Sequence, residues 1–154
     1  MIADISELHS KVKDDGYLKV DSFVSKSDAE ILEQKTLKAF KKSSDKYVHR
    51  NTDFVKVISV SKEDAKKERY FRYLNDIFLD KYLNSFIENY FETQKVEITK
   101  IFLAESSNSG EKVDVLPYKM HFDKTRYLKF MIYLRDVFEG DGGITFAKKE
   151  WNTK

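Results

Sequence analysis

Apolar residues recur at steps of three and four along much of the chain, and this period predicts helices over residues 5–14, about 28–42 and 61–91. The first helix is expected to end near Gly16, and the last can contain one break. A Ser-x-x-Glu spacing at 27–30 predicts a capping box before the second helix. The third segment carries an apolar stripe, which we interpret as the face of a helix packed on a sheet rather than as a ligand groove. Its members are Tyr70, Leu74, Ile77, Phe78, Leu83, Phe86, Ile87 and Tyr90.

Alternation of apolar and polar residues predicts strands over 17–24, 53–60, 95–105, 118–123 and 127–137. A polar loop is expected over 106–117, and the Gly-rich run at 139–143 predicts a turn before a further short apolar segment. Helices therefore dominate the first half of the chain and closely spaced strands the second half. This order predicts a single α+β domain.

The composition excludes several functions. The length of 154 residues fits one domain, and 28 basic against 26 acidic residues give no strong field for nucleic acid or an anionic membrane. Lysines at 35, 38, 41, 42 and 66–67 could serve a nucleic-acid binder, but they are interleaved with acids as on a solvated helix face. The absence of cysteine excludes thiolate metal sites and thiol catalysis. Without a signal peptide or an apolar span, we expect a soluble, cytoplasmic protein.

The segment "YKMHFD" at 118–123 holds the most informative short motif. In a strand, His121 and Asp123 would leave the same face, because residues i and i+2 share a side. Such a pair can supply two of the three ligands in a 2-His-1-carboxylate iron site. The spacing alone is a weak signal, since so short a motif also arises by chance.

The neighbouring residues make the signal more specific. "YKMHFD", "YLKFMIYLRD" and "GDGGITF" succeed one another in an order that resembles the prolyl-hydroxylase-like Fe(II)/2-oxoglutarate dioxygenases, and the opening "DDGYLKVDSFVSKSDAEIL" is similar to the entry of that superfamily. The resemblance covers residues 15–40 and 95–147. It implies a partial double-stranded β-helix, or jelly roll, with N-terminal helices packed on one sheet.

The resemblance also implies roles for individual residues. His121 and Asp123 match the Fe(II) ligands, and Tyr133 matches the tyrosine that hydrogen-bonds the far carboxylate of the cosubstrate 2-oxoglutarate. Tyr118 matches a tyrosine near the substrate. Tyr133 could equally be a plain interior aromatic, and Lys129, a minor candidate for holding a carboxylate, is more typical of a solvated strand lysine that buries only its stem. The substrate would be a prolyl or other side chain, or a small molecule, with ascorbate as an accessory reductant in an assay.

Two parts of the family site have no counterpart at the usual place, namely the second iron-binding histidine and the basic residue that pairs with 2-oxoglutarate. His9 and His49 precede the motif and are expected to be surface or capping residues. From this we expect a C-terminally shortened domain, nearly inactive by itself in 2-oxoglutarate-dependent succinate release. Open strand edges would favour self-association, and the alternative function is a non-catalytic binding module on a partial jelly roll.

Overall fold

The structure is a computed structural model that describes residues 5–93, 96–107, 128–138, 141, 143, 144 and 146. No helix in that part of the chain combines the length and the apolarity needed to cross a bilayer. The elements, in chain order, are helices α1 (Ile5–Asp15) and α2 (Lys26–Lys42), the 3-10 helix η1 (Asp45–Tyr47), strands β1 (Val48–Asn51) and β2 (Val55–Ser61), helix α3 (Lys62–Lys67), the 3-10 helix η2 (Arg69–Leu74), helices α4 (Asn75–Phe78) and α5 (Lys81–Phe91), and strand β3 (Lys100–Ser106).

The three strands form an antiparallel sheet in the order β1-β2-β3. Ile58 lies opposite Leu103 and Ser59 lies opposite Phe102, so the two pairs project from opposite faces of the sheet. The Ile58 and Leu103 side chains are buried, whereas the Ser59 and Phe102 side chains are not. One face of this sheet is therefore covered and the other carries a mixed, partly exposed surface.

The covered face packs against helices and builds the main core. Helix α2 contributes Ala39 and Phe40 to this core, and η2 contributes Phe71 and Leu74. The complete cluster is Ala39, Phe40, Tyr47, Ile58, Val60, Ala65, Phe71, Leu74, Phe78 and Leu103. The α+β class predicted from the sequence is thus confirmed, and so is the packing of helices on a sheet.

Helices α1 and α5 form a second packing unit. Leu83, Phe86 and Ile87 of α5 are buried, as is Leu8 of α1. The Asp80 carboxylate starts α5 by accepting the Leu83 N–H at 2.8 Å, in the manner of an N-cap. The stripe predicted over the third helical segment is therefore core, but only its members on η2 and α4 pack on the sheet as interpreted, whereas those on α5 pack with α1.

Two expectations near the N-terminus were wrong. Residues 17–24 form no strand, and Ser22 has a left-handed φ of 56°, which interrupts an extended backbone. The cap of α2 is Ser25 rather than Ser27, because the Ser25 hydroxyl accepts the Asp28 N–H at 3.1 Å. The serine-to-acid spacing is the same as in the predicted box, displaced by two residues.

Other boundaries also differ. The segment 61–91 is divided among α3, η2, α4 and α5, with extended backbone at Glu68 and again at Asp80. Strand β3 begins at Lys100, not 95, and β1 was not expected at all. Residues 128–137 form no strand within the described part of the chain, although their exposure alternates over 131–134. The predicted strand at 118–123 lies outside the described residues.

A capping box at the start of α3 gives stability that depends on pH. The Asp64 carboxylate accepts the Ser61 hydroxyl at 2.6 Å and the Ser61 N–H at 3.1 Å. These two bonds hold the pKa of Asp64 below its ordinary value, and the bond from the Ser61 hydroxyl has the larger effect. Partial burial acts in the opposite direction and raises the pKa. With an unfolded pKa of about 3.9, this contribution is fully present above that pH and is lost as pH falls through the lower folded pKa.

We therefore expect Asp64→Ala to lower the free energy of unfolding at pH 7 by about 1 kcal/mol, because it removes one half of the box. The difference from the wild type should shrink as the pH is lowered through the folded pKa. Urea unfolding at pH 7, 4 and 3 measures this, with Glu63→Ala as the control for the loss of an acidic residue in the same first turn. A deficit for Asp64→Ala that stayed constant over this range would contradict the account.

Candidate functional site

The predicted iron ligands fall in a part of the chain that the structure does not describe. His121, Asp123 and Tyr118 all lie within 108–127, outside the described residues. Their predicted convergence therefore stays a prediction. Tyr133, Lys129 and the two remaining histidines are described.

Tyr133 occupies a position that suits a hydrogen-bond donor. Its phenol oxygen accepts the backbone N–H of Ile144 at 3.0 Å, which ties segment 128–138 to the residues after the Gly-rich run. A tyrosine that accepts one bond keeps its own hydroxyl hydrogen for donation to another oxygen. The side chain is 47% exposed, so an incoming carboxylate can reach it. Tyr133 therefore retains an accessible hydroxyl hydrogen.

The segment around Tyr133 is positioned by the helices. The Phe130 ring meets the Phe86 ring of α5 edge-on, with centroids 5.8 Å apart. The Arg135 guanidinium pairs with the Glu33 carboxylate of α2. Leu128, Ile132 and Leu134 are half-buried, whereas Lys129, Phe130, Met131 and Tyr133 are exposed. Exposure therefore alternates over 131–134, and Tyr133 and Lys129 are both open to a ligand.

The two other histidines differ from each other. His49 lies exposed on β1, with its ring 5.4 Å from the Phe102 ring, in agreement with the expectation of a surface residue. His9 was expected at the surface but packs edge-on against Phe86 and Tyr90, at centroid distances of 6.4 and 5.8 Å. Its Nε2 is buried without a hydrogen-bond partner. The expectation for His9 was therefore wrong, because an amphipathic helix can turn a histidine toward an aromatic neighbour.

Among the residues that the structure describes, no three His, Asp or Glu side chains lie close enough to hold a metal ion. His9 and His49 belong to different parts of the fold, on α1 and on β1.

Sequence reasoning missed a polar groove on the open side of the sheet. It encloses about 360 Å³ where η1, β1, β2, α3 and β3 meet. Its lining residues are Lys46, Tyr47, Val48, His49, Ser59, Ser61, Asp64 and Lys100. Residues 46–49 reach β2 through the pairing of β1 with β2, and Lys100 reaches it through the pairing of β2 with β3, so no sequence motif indicates the groove.

One wall of the groove is formed by contacts among Lys46, Tyr47 and Glu68. The Lys46 ammonium lies 4.5 Å from the centre of the Tyr47 ring and 3.5 Å from a Glu68 carboxylate oxygen. The Tyr47 hydroxyl, and after it Glu68, raise the pKa of Lys46. The Tyr47 hydroxyl itself donates to Glu68 at 3.0 Å. These contacts position one wall of the groove.

Comparisons with protein-family models, with curated proteins and with solved structures found no match for this chain.

Proposed function

We propose that the chain is an Fe(II)/2-oxoglutarate-dependent dioxygenase of the prolyl-hydroxylase-like type, with His121 and Asp123 as iron ligands. The succession of the His-x-Asp pair, an apolar segment and a Gly-rich turn supports this proposal. The structural observation that carries it is the hydrogen bond of the Tyr133 hydroxyl with Ile144 N–H. This bond joins the two segments that follow the motif and leaves a donor hydrogen on the side chain matched to cosubstrate binding.

The proposal extends to the fold. The three-stranded antiparallel sheet would be part of one of the two sheets of a double-stranded β-helix. Its uncovered face, from which the Ser59 and Phe102 side chains project, would pack against the second sheet.

Each proposed site residue has a chemical task. His121 would bind the metal through an imidazole nitrogen and Asp123 through a carboxylate oxygen, a donor set that suits ferrous iron. Tyr133 would donate its hydroxyl hydrogen to the far carboxylate of 2-oxoglutarate and so orient this cosubstrate. When bound, iron with 2-oxoglutarate and dioxygen supplies the oxidising power for hydroxylation of a C–H bond. The substrate would be a side chain of a protein or a small molecule.

Binding of 2-oxoglutarate under argon tests the proposal. Addition of Fe(II) and 2-oxoglutarate to the protein should produce the visible charge-transfer absorption of a chelated keto acid, and the titration gives a half-saturating concentration. We expect Tyr133→Phe to raise that concentration about tenfold, because a hydrogen bond to a charged group is lost.

Tyr17→Phe is the matched control, since Tyr17 is similarly exposed and its ring stacking on Phe146 does not need the hydroxyl. This variant should titrate like the wild type. Absence of the absorption band from the wild-type protein would overturn the proposed function. Equal titrations for the two tyrosine variants would remove Tyr133 from the cosubstrate site.

A non-catalytic binding module is the second candidate, favoured by the edges of the sheet. Within the described residues, β1 and β3 each pair with β2 alone, and β3 carries an exposed Phe102. An unpaired strand edge can accept a strand from a partner or from a second copy of the chain. A module of this kind would bind neither Fe(II) nor 2-oxoglutarate, so the same titration separates the two candidates.

A further inference from the structure

The second half of α2 presents a surface of unpaired positive charge. Residues 34–44 contain lysines at 35, 38, 41 and 42 and no acidic residue, and all four lysines are exposed. None of them forms an ion pair in the described part of the chain, where the ion pairs are made by other cations such as Lys46 and Arg135. The acids of α2 lie in its first half, at 28, 30 and 33, rather than between these lysines. The whole chain is nearly balanced, so this excess is local.

The acids nearest to these lysines in the fold do not neutralise the excess. Glu33, just before the first lysine, pairs with Arg135. Glu68, at the start of the neighbouring η2, pairs with Lys46 at 3.5 Å. Asp45 follows α2 at the start of η1 and forms no ion pair with the lysines.

Helix stability does not explain the whole set of lysines. Lys41 and Lys42 lie in the last turn of α2, where cations interact favourably with the helix dipole. Lys35 and Lys38 lie before that turn, where this effect has faded. Lys35, Lys38 and Lys42 have the i, i+3, i+7 spacing that places side chains on one helix face, so they form a row about 10 Å long.

The 3-10 helix η2 extends this surface by one cation. The Tyr73 and Thr36 hydroxyls share a hydrogen bond at 3.0 Å, and the Tyr73 ring lies 6.0 Å from the Lys35 ammonium. Arg72, the residue before Tyr73, is exposed and forms no ion pair in the described part of the chain, although Asp76 stands four residues later. We call this surface the basic face, which consists of Lys35, Lys38, Lys41, Lys42 and Arg72.

We propose that the basic face binds the phosphate backbone of a nucleic-acid duplex without reading its sequence. Phosphates on one strand of a duplex follow one another about every 3.4 Å along the axis, so the lysine row is long enough to contact about three of them. Lysine acts on phosphate as a point charge, and contacts to phosphate carry no direct sequence information.

The surroundings of the basic face favour a duplex over a membrane or a single strand. Residues 34–44 and 69–75 expose no large apolar side chain, and Ile31, one turn before Lys35, is a single such side chain at 48% exposure. A helix bound at a membrane surface instead buries a whole apolar face in the lipid. Proteins that bind single strands stack bases on accessible aromatic rings, whereas Tyr73 is half-buried against α2.

Fluorescence anisotropy with two labelled DNA duplexes of unrelated sequence, each about two helical turns long, tests this assignment. We expect equal affinity for the two sequences. The logarithm of the binding constant should fall with the logarithm of the salt concentration with a slope of about −3 to −4, since each neutralised phosphate contributes about −0.9. The triple variant Lys35→Gln, Lys38→Gln, Lys42→Gln should bind about a hundredfold more weakly at low salt and lose about 3 from that slope. Arginine at the same three positions should restore binding, because the charges are retained.

The matched control is the triple variant Lys26→Gln, Lys81→Gln, Lys100→Gln, which removes the same charge from exposed lysines outside the basic face. It should bind both duplexes like the wild type. The proposal would be overturned if the wild type bound neither duplex at low salt, or if both glutamine variants lost affinity equally, since binding would then follow net charge alone. Binding to phosphatidylserine vesicles as tight as to the duplexes would also overturn it. The titrations contain no iron, so their outcome is independent of the oxygenase proposal.

Discussion

Phe71→Ala is expected to lower the free energy of unfolding by about 3–5 kcal/mol, the largest loss that a single truncation should cause in this chain. Phe71 is 0% exposed and lies in η2 at the centre of the main core. Its ring meets the Tyr47 ring edge-on at 5.0 Å and the Tyr70 ring at 4.5 Å. Truncation would remove the buried ring and both aromatic contacts and leave a cavity between the helices and the sheet.

Phe102→Ala is the matched control for the Phe71 variant, because the same atoms are removed from an exposed position. We expect this change to cost no more than about 0.5 kcal/mol, as is usual for surface substitutions. Urea unfolding followed by circular dichroism measures both variants. Similar losses for the two would show that η2 is not the centre of the core.

The second large effect concerns the metal. His121→Ala and Asp123→Ala should each weaken the binding of Mn(II), a redox-stable substitute for Fe(II), by about a hundredfold or more. Loss of a residue that hydrogen-bonds a metal ligand lowers metal affinity roughly 10–100-fold. Loss of the ligand itself should lower the affinity further. Titration followed by electron paramagnetic resonance measures the free Mn(II) directly.

His49→Ala and Asp53→Ala are the controls for this titration, since they remove the same side-chain types from exposed positions on and beside β1. Both should bind Mn(II) like the wild type. If the affinity fell with His49→Ala and not with His121→Ala, the ligand assignment would move to β1. If it fell with none of the four, His121 and Asp123 would not be ligands.

The helices show how far local chemistry alone determines the fold. Helix α1 ends where expected, because Gly16 adopts a left-handed φ of 81° and its N–H reaches the Val12 carbonyl at 3.0 Å. For α2 the period located the helix, but two serines stood at plausible cap positions. Only the observed bond from Asp28 N–H to Ser25 decides between them. Periodicity and end signals therefore predict a helix well and its first residue less well.

Strand predictions were less successful because a strand needs a partner. The alternation over 17–24 and over 128–137 is genuine, yet neither segment is a strand among the described residues. Segment 128–137 instead rests on α5 through Phe130 and on α2 through Arg135. Strand β2 was recognised because it is the central strand and its apolar face is deeply buried.

The long helical segment illustrates a different limit. Its apolar stripe continues across the breaks, because α3, η2, α4 and α5 all contribute buried side chains. A three- to four-residue period therefore does not reveal where one helix stops and another begins. The second break, before α5, has a local cause. Aspartate is a preferred N-cap residue, and the Asp80 carboxylate accepts the N–H of Leu83 three residues later.

The candidate site residues also differ in how far the sequence alone could identify them. A motif of adjacent residues, such as His121 and Asp123, can be found in a sequence because its geometry is local. The polar groove could not be found, since Lys46 and Lys100 are separated by more than fifty positions and line one groove only because β1 and β3 both pair with β2. Tyr133 lies between these cases, because its role was suggested by order along the chain and its Ile144 contact required the fold.

The most direct test of the iron site is an anomalous difference map at the iron edge from crystals grown anaerobically with Fe(II) and 2-oxoglutarate. We expect one peak at coordination distance from both the His121 imidazole and the Asp123 carboxylate. A map in which these two side chains project to opposite sides of their segment, or in which iron binds elsewhere, would contradict it.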